Sequence, residues 1–153
     1  MNDKSVRAPA PWHLWAVGIV SLLWNGFGAY DYIMSQSRNA DYMAEMTEPF
    51  GMPTAAAVDY FDSFPLWADA AWAFGVWGSL LGSILLLVRS RFAFHAFAAS
   101  LVGLVVSMAY QASHPLPGMT DSTISVVFTI VLAIVILLLI FYSRRMTISA
   151  VLR

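Results

Sequence analysis

The sequence predicts an all-α transmembrane bundle of four helices with a partly helical outer loop. Three observations predict it. Of 153 residues, 59% are hydrophobic and 11% charged, where soluble domains run at about 45–50% and about 25%. Four apolar stretches, 12–33, 65–88, 92–112 and 124–142, are each of the length that crosses a hydrocarbon core as a helix, about 20 residues. The basic residues are also one-sided. Lys4, Arg7, Arg89, Arg91, Arg144, Arg145 and Arg153 share one side of an alternating four-helix thread, and Arg38 is alone on the other. The positive-inside rule then places both termini in the cytoplasm.

The spans must be helical because lipid offers no partner to a backbone N–H or C=O. A β-barrel is excluded by the lack of alternating apolar and polar residues in ten-residue segments. The length fits a single membrane domain over 1–153. A net charge of −1 gives no basic surface for nucleic acid. The absence of cysteine removes disulfides, thiol catalysis and cysteine–metal clusters. The first span has the basic start of a signal peptide. Its apolar region is too long for one and carries Asn25, so it reads as an uncleaved span.

Span 1 carries a stripe of Gly18, Ser21, Asn25, Gly28 and Tyr32 at steps of three and four, which is one helical face. It is the most polar intramembrane face, so it should point into the bundle. The outer loop, 34–64, is long enough to carry structure. The segments 39–46 and 54–61 read as short amphipathic helices at the membrane surface. Span 2 has Ser63 as a candidate cap, Pro65 in its first turn and Asp69 near the positive end of its dipole. Span 4, with Asp121, Ser122 or Thr123 as cap, is almost entirely Val, Ile, Leu and Phe and reads as a lipid-facing wall.

Membrane helices pack through small residues. Gly75, Gly78 and Gly82 on span 2 and Ala99, Gly103 and Ser107 on span 3 offer two small faces within a tight hairpin. Intramolecular packing is the first reading of this pattern and self-association the second.

Asp31 is the most unusual residue. It lies near the outer, negative end of the span 1 dipole, where a carboxylate is disfavoured by the dipole and by lipid. It needs a partner or a proton. Arg38 and His114 are candidate partners, as are a Trp N–H or a Tyr O–H. The functional reading is a proton or cation site at the outer mouth, and the structural reading is a bonded carboxylate. Asn25 reads as interhelical glue or as a ligand, and Asp69 as a helix-start acid. Met43 and Met46 share a helical face, as Cu(I) ligands would, but methionines also suit irregular packing. No phosphate loop, nucleophile elbow or zinc motif is present. The sequence therefore specifies no metal, no cofactor and no enzyme.

Pro11-Trp12, Trp24-Asn25-x-x-Gly28-x-x-Asp31-Tyr32, Phe64-Pro65-x-Trp67, Ala71-Trp72-x-x-x-Val76-Trp77 and Gly82-Ser83-x-Leu85-Leu86-Leu87-x-Arg89 together form a recognisable pattern. It resembles a group of small four-span inner-membrane proteins of proteobacteria, some of which carry a sugar-transporter label. The plan of four spans with both ends inside is similar to that of DoxX-type proteins in architecture. The resemblance implies residence in the bacterial inner membrane. The group has no assigned activity, so no functional residue carries over.

Two functions are expected from this reading. The first is a non-enzymatic accessory protein that binds a membrane partner or a second copy of itself. The alternative is a small oligomeric transporter or channel for an ion or small solute, with Asn25, Asp31 and Tyr32 along the route. A weaker third is a quinone-associated protein, suggested by the 14% aromatic content.

Overall fold

The computed structural model describes residues 9–116 and 123–153, and every described element is helical. The readings of Lys4 and Arg7 and of the caps Asp121 and Ser122 lie outside the described residues. Helix α1 spans Trp12–Gln36, α2 Ala40–Thr47, α3 Thr54–Asp62, α4 Leu66–Leu87, α5 Ala93–Ser113 and α6 Thr123–Ile148, with a single 3-10 turn at Glu48–Phe50.

Three of the four long helices are apolar enough to cross a membrane by length and composition: Leu66–Leu87, Ala93–Ser113 and Val126–Ile148. Helix α1 is long enough at 25 residues, but is not among them. His13, Asn25, Asp31 and Gln36, with its Trp and Tyr residues, dilute its Leu, Ile and Val. Of the four apolar spans expected, three are thus found.

The long helices pack in the order α1, α4, α5, α6. Helices α1 and α4 run antiparallel. At one end Leu14 and Leu86 share a cluster. Further along, Asn25 bonds Ser79 and Ser83, Tyr32 meets Trp72, and Gln36 bonds Asp69. Helices α4 and α5 make the closest interface, because glycine lets their backbones approach. A Cβ on Gly103 would lie 2.5 Å from the Gly75 nitrogen and 2.6 Å from the Ala71 oxygen. One on Gly78 would lie 3.1 Å from Ser100 Cβ, and one on Gly82 2.6 Å from the Phe97 ring. All three span 2 glycines therefore face α5 within the chain, which leaves that stripe unavailable for self-association. Ser107 is buried on the α5 face, but Ala99 is exposed and off the contact. The buried seam runs Ala93, Phe97, Ser100, Gly103, Ser107, Tyr110. A strict four-residue step drifts off a 3.6-residue helix, so the seam mixes threes and fours.

The end of the bundle where α1 begins, the inner end of the expected threading, is a packed apolar cluster of Leu14, Leu86, Ala93, Phe97, Leu139, Met146, Val151 and Leu152. Here α1 meets α6, and His13 Nδ1 lies 2.6 Å from the Tyr142 hydroxyl. The chain after α6 folds back onto this end. Arg153 N–H donates to the Arg89 carbonyl at 2.9 Å, and Arg91 N–H to the Arg153 carbonyl at 2.8 Å. Arg89, Arg91, Arg144, Arg145 and Arg153 thus gather around one end of the bundle, and Arg38 lies at the other.

Helix α4 ends within one residue of the expected 88, whereas α1 and α6 run past the expected 33 and 142 to Gln36 and Ile148. Helices α1, α4 and α6 all close with a residue in the left-handed region, at Arg38, Arg89 and Ala150. Each has the paired backbone bonds of a Schellman turn, such as Arg38 N–H to Ser35 O and Asn39 N–H to Met34 O. Glycine usually marks such ends and is absent from all three, so the sequence does not announce them. Ser63 does not cap α4. It ends α3, and its hydroxyl donates to the Tyr60 carbonyl at 2.6 Å.

Candidate functional site

Helices α2 and α3 form a cap over the outer end. Asn39 starts α2 by accepting from Tyr42 N–H at 3.0 Å. Met43, Met52 and Ala57 make a small core between the two short helices. Tyr60 and Phe64 bury against Ala68 and Tyr110 of α4 and α5. Phe61 stacks on Trp72 at 5.4 Å, and Phe64 meets Tyr110 edge-on at 4.9 Å. Burial first, and then the field of Tyr110, push the Tyr60 phenol up to about 12.

Beneath this cap lies a cavity of about 1080 Å³. Helices α1 and α6 converge at the inner cluster but share no packed interface further out, so a wedge opens between them. One wall is α1, from Trp24 and Asn25 through Gly28 and Asp31 to Ser35. The twelve residues from Trp24 to Ser35 make that wall about 18 Å tall. Ser79 of α4 and Ser100 of α5 lie at its depth, Ile136 and Ile130 of α6 stand across from α1, and Met43, Met46 and Met52 roof it. The lining is mainly apolar with a few placed polar groups, as in small-molecule sites, and its volume is at the top of their usual range of about 300–1,000 Å³.

Gly28 is open here: a Cβ built on it meets nothing within 4 Å. The buried face of α1 runs Leu14, Gly18, Ser21, Asn25, Ala29. The expected stripe therefore holds as far as Asn25 and then divides. Gly28 turns to the cavity, while Tyr32 packs edge-on against Trp72 at 4.9 Å and Trp77 at 6.2 Å, off the cavity wall.

Asn25 is 7% exposed. Its amide nitrogen donates to the Ser79 carbonyl at 3.2 Å and to Ser83 Oγ at 2.9 Å. It acts as interhelical glue and also lines the cavity. Asp31 accepts from the Tyr42 hydroxyl at 2.5 Å. Its second carboxylate oxygen has no hydrogen bond among the described residues. The Tyr42 phenol is pushed well above its ordinary value by burial and by that bond, so it stays a donor.

Of the expected partners of Asp31, a Tyr O–H is the one found, and Arg38 and His114 are not. Arg38 Nε bonds Asp62 at 2.9 Å and its guanidinium lies 5.5 Å from the Phe61 ring centroid. His114 is exposed at the end of α5, stacked on Tyr110 at 4.4 Å. Asp69 accepts from Gln36 Nε2 at 3.1 Å in the first turn of α4. Sequence reasoning expected a Tyr O–H for Asp31 without singling out Tyr42, and it missed Ser79 and Ser83 as partners of Asn25 and Met108 in the lining. Among the described residues that line the cavity, Asp31 is the one charged side chain. No group of three or more His, Asp or Glu that could hold a metal occurs among the described residues.

Comparison with family models, curated proteins and solved structures returns no match.

Proposed function

We propose that this chain is a four-span inner-membrane protein, with both termini in the cytoplasm, that binds an apolar or amphiphilic small molecule without transforming it. The cavity between α1 and α6 is the observation that carries this reading. Its largely apolar walls suit a molecule that already partitions into lipid. A sugar would leave hydroxyls unpaired against Ile, Leu, Phe and Met, each at a cost of a lost hydrogen bond. The missing outer interface between α1 and α6 gives such a molecule a sideways entry from the bilayer.

Several features support α1 as a fourth span. Its 25 residues make about 37 Å of helix, more than a hydrocarbon core of about 30 Å. It lies antiparallel along α4 for its full length, and Ile19, Val20 and Leu23 are exposed on its outer face. The gathering of five arginines at the end where α1 begins supports the cytoplasmic placement of that end.

Binding is favoured over conduction. The inner cluster around Leu14, Leu86, Phe97 and Leu139 closes the inner end with buried apolar side chains, so the cavity is one-sided. An accessory role in presenting or holding a bilayer molecule fits this shape. Native mass spectrometry of the purified protein tests the reading. A co-purifying small amphiphile should appear on wild-type protein and be lost from Gly28→Phe, which fills the cavity from an open position. Equal occupancy of the two proteins would contradict the assignment.

A further inference from the structure

The charge of the occupant is also legible in the cavity wall, and this inference rests on the binding reading above. We propose that the site selects an apolar organic cation, with Asp31 as counter-ion and Trp24, Phe27, Tyr60, Phe61 and Trp72 supplying aromatic surface.

Four observations carry it. Asp31 is the one charged side chain among the described lining residues. Tyr42 occupies one of its carboxylate oxygens, and the other has no hydrogen bond. The nearest guanidinium, on Arg38, is engaged by Asp62, by the Ser35 carbonyl and by the Phe61 face, and does not line the cavity. An anion would thus find no positive partner there. Finally, the last turns of α1 and α5 both reach the lining, at Ser35 and at Gln111 and Ala112, against the first turn of α6 at Val126. Two negative helix ends face one positive end.

An apolar cation has the right chemistry for such a wall. Its charge is balanced by the carboxylate, its surface is taken up by apolar side chains, and aromatic faces attract cations through their quadrupoles. Methionines at the roof accommodate irregular shapes.

The test uses purified full-length protein in detergent and three probes. Tetraphenylphosphonium and tetraphenylborate share a shape and differ in charge, and N-phenyl-1-naphthylamine is neutral. The neutral probe should bind saturably to wild type, and the phosphonium should displace it at a concentration roughly ten-fold or more below the borate. Asp31→Asn should bring the two ions' potencies together, each referred to that variant's own affinity for the neutral probe. Micelle partitioning is common to both proteins, so it cancels in that comparison. Equal displacement by both ions from wild type, or an unchanged ratio in Asp31→Asn, overturns cation selection and leaves the binding reading standing. If the neutral probe fails to bind saturably, the binding reading itself fails and this inference with it. Should Asp31→Asn not fold, the wild-type displacement ratio decides alone.

Discussion

Tyr60 and Asp31 show how single residues hold the cap and the cavity together. Tyr60 is buried between α3 and the outer ends of α4 and α5. Its folded-state phenol titrates at about 12 against an ordinary 10.0. A group whose folded pKa is raised contributes its full stability below the unfolded pKa and loses it as pH rises towards the folded one. Cap stability should therefore fall as pH climbs from 10.0 towards about 12. Thermal unfolding followed across that range should show the loss in wild type and a weaker loss in Tyr60→Phe, which has no phenol to ionise. Identical alkaline profiles would show that Tyr60 does not hold the cap. Asp31 was legible in the sequence as an acid at the wrong end of a helix. A Tyr O–H was among its expected partners, but which tyrosine was not legible. Arg38 looked suitable by charge and proximity, but the left-handed turn at Arg38 directs the chain away. The Tyr42 hydroxyl reaches Asp31 instead, because α2 folds back on α1.

Among the elements, the α4–α5 hairpin was the most legible, because close backbone approach demands small residues and the sequence displays them at helical spacing. What the sequence could not give was the phase of the seam. Ala99 shares the four-residue step with Gly103 and Ser107, yet Ser100 fills the contact, and its hydroxyl donates to the Gly75 carbonyl. A paired substitution separates the two phases. Gly103→Leu drives a side chain into the Gly75 and Ala71 backbone, which cannot yield as a flexible side chain would. It should lower stability by about 1–3 kcal/mol or more. Ala99→Leu should leave thermal unfolding within about 0.5 kcal/mol of wild type, as exposed positions do. The reverse order would place the seam on Ala99. The cap helices were legible for a different reason: Asn39 and Pro53 announce two starts within the interval between α1 and α4.

At the scale of the whole molecule, the apolar spans and the clustering of arginines could be read from composition. The cavity could not, because a void is set by the angle between α1 and α6 and by no residue in particular. Gly28 is its nearest sequence trace, and it looks like any other small residue until the space beside it is known. The threading predicts that a single cysteine at Thr54, in an otherwise cysteine-free chain, reacts with an impermeant maleimide in intact cells, whereas one at Ser90 does not. Labelling at Ser90 alone would invert the protein in the membrane. The account depends most on the cavity being a real binding volume. Titration of N-phenyl-1-naphthylamine into wild-type and Gly28→Phe protein in matched detergent tests that most directly. The account predicts saturable fluorescence enhancement with wild type, and its loss in Gly28→Phe with thermal unfolding unchanged, since the new side chain enters open space. A linear, non-saturating signal that is the same for both proteins would contradict it.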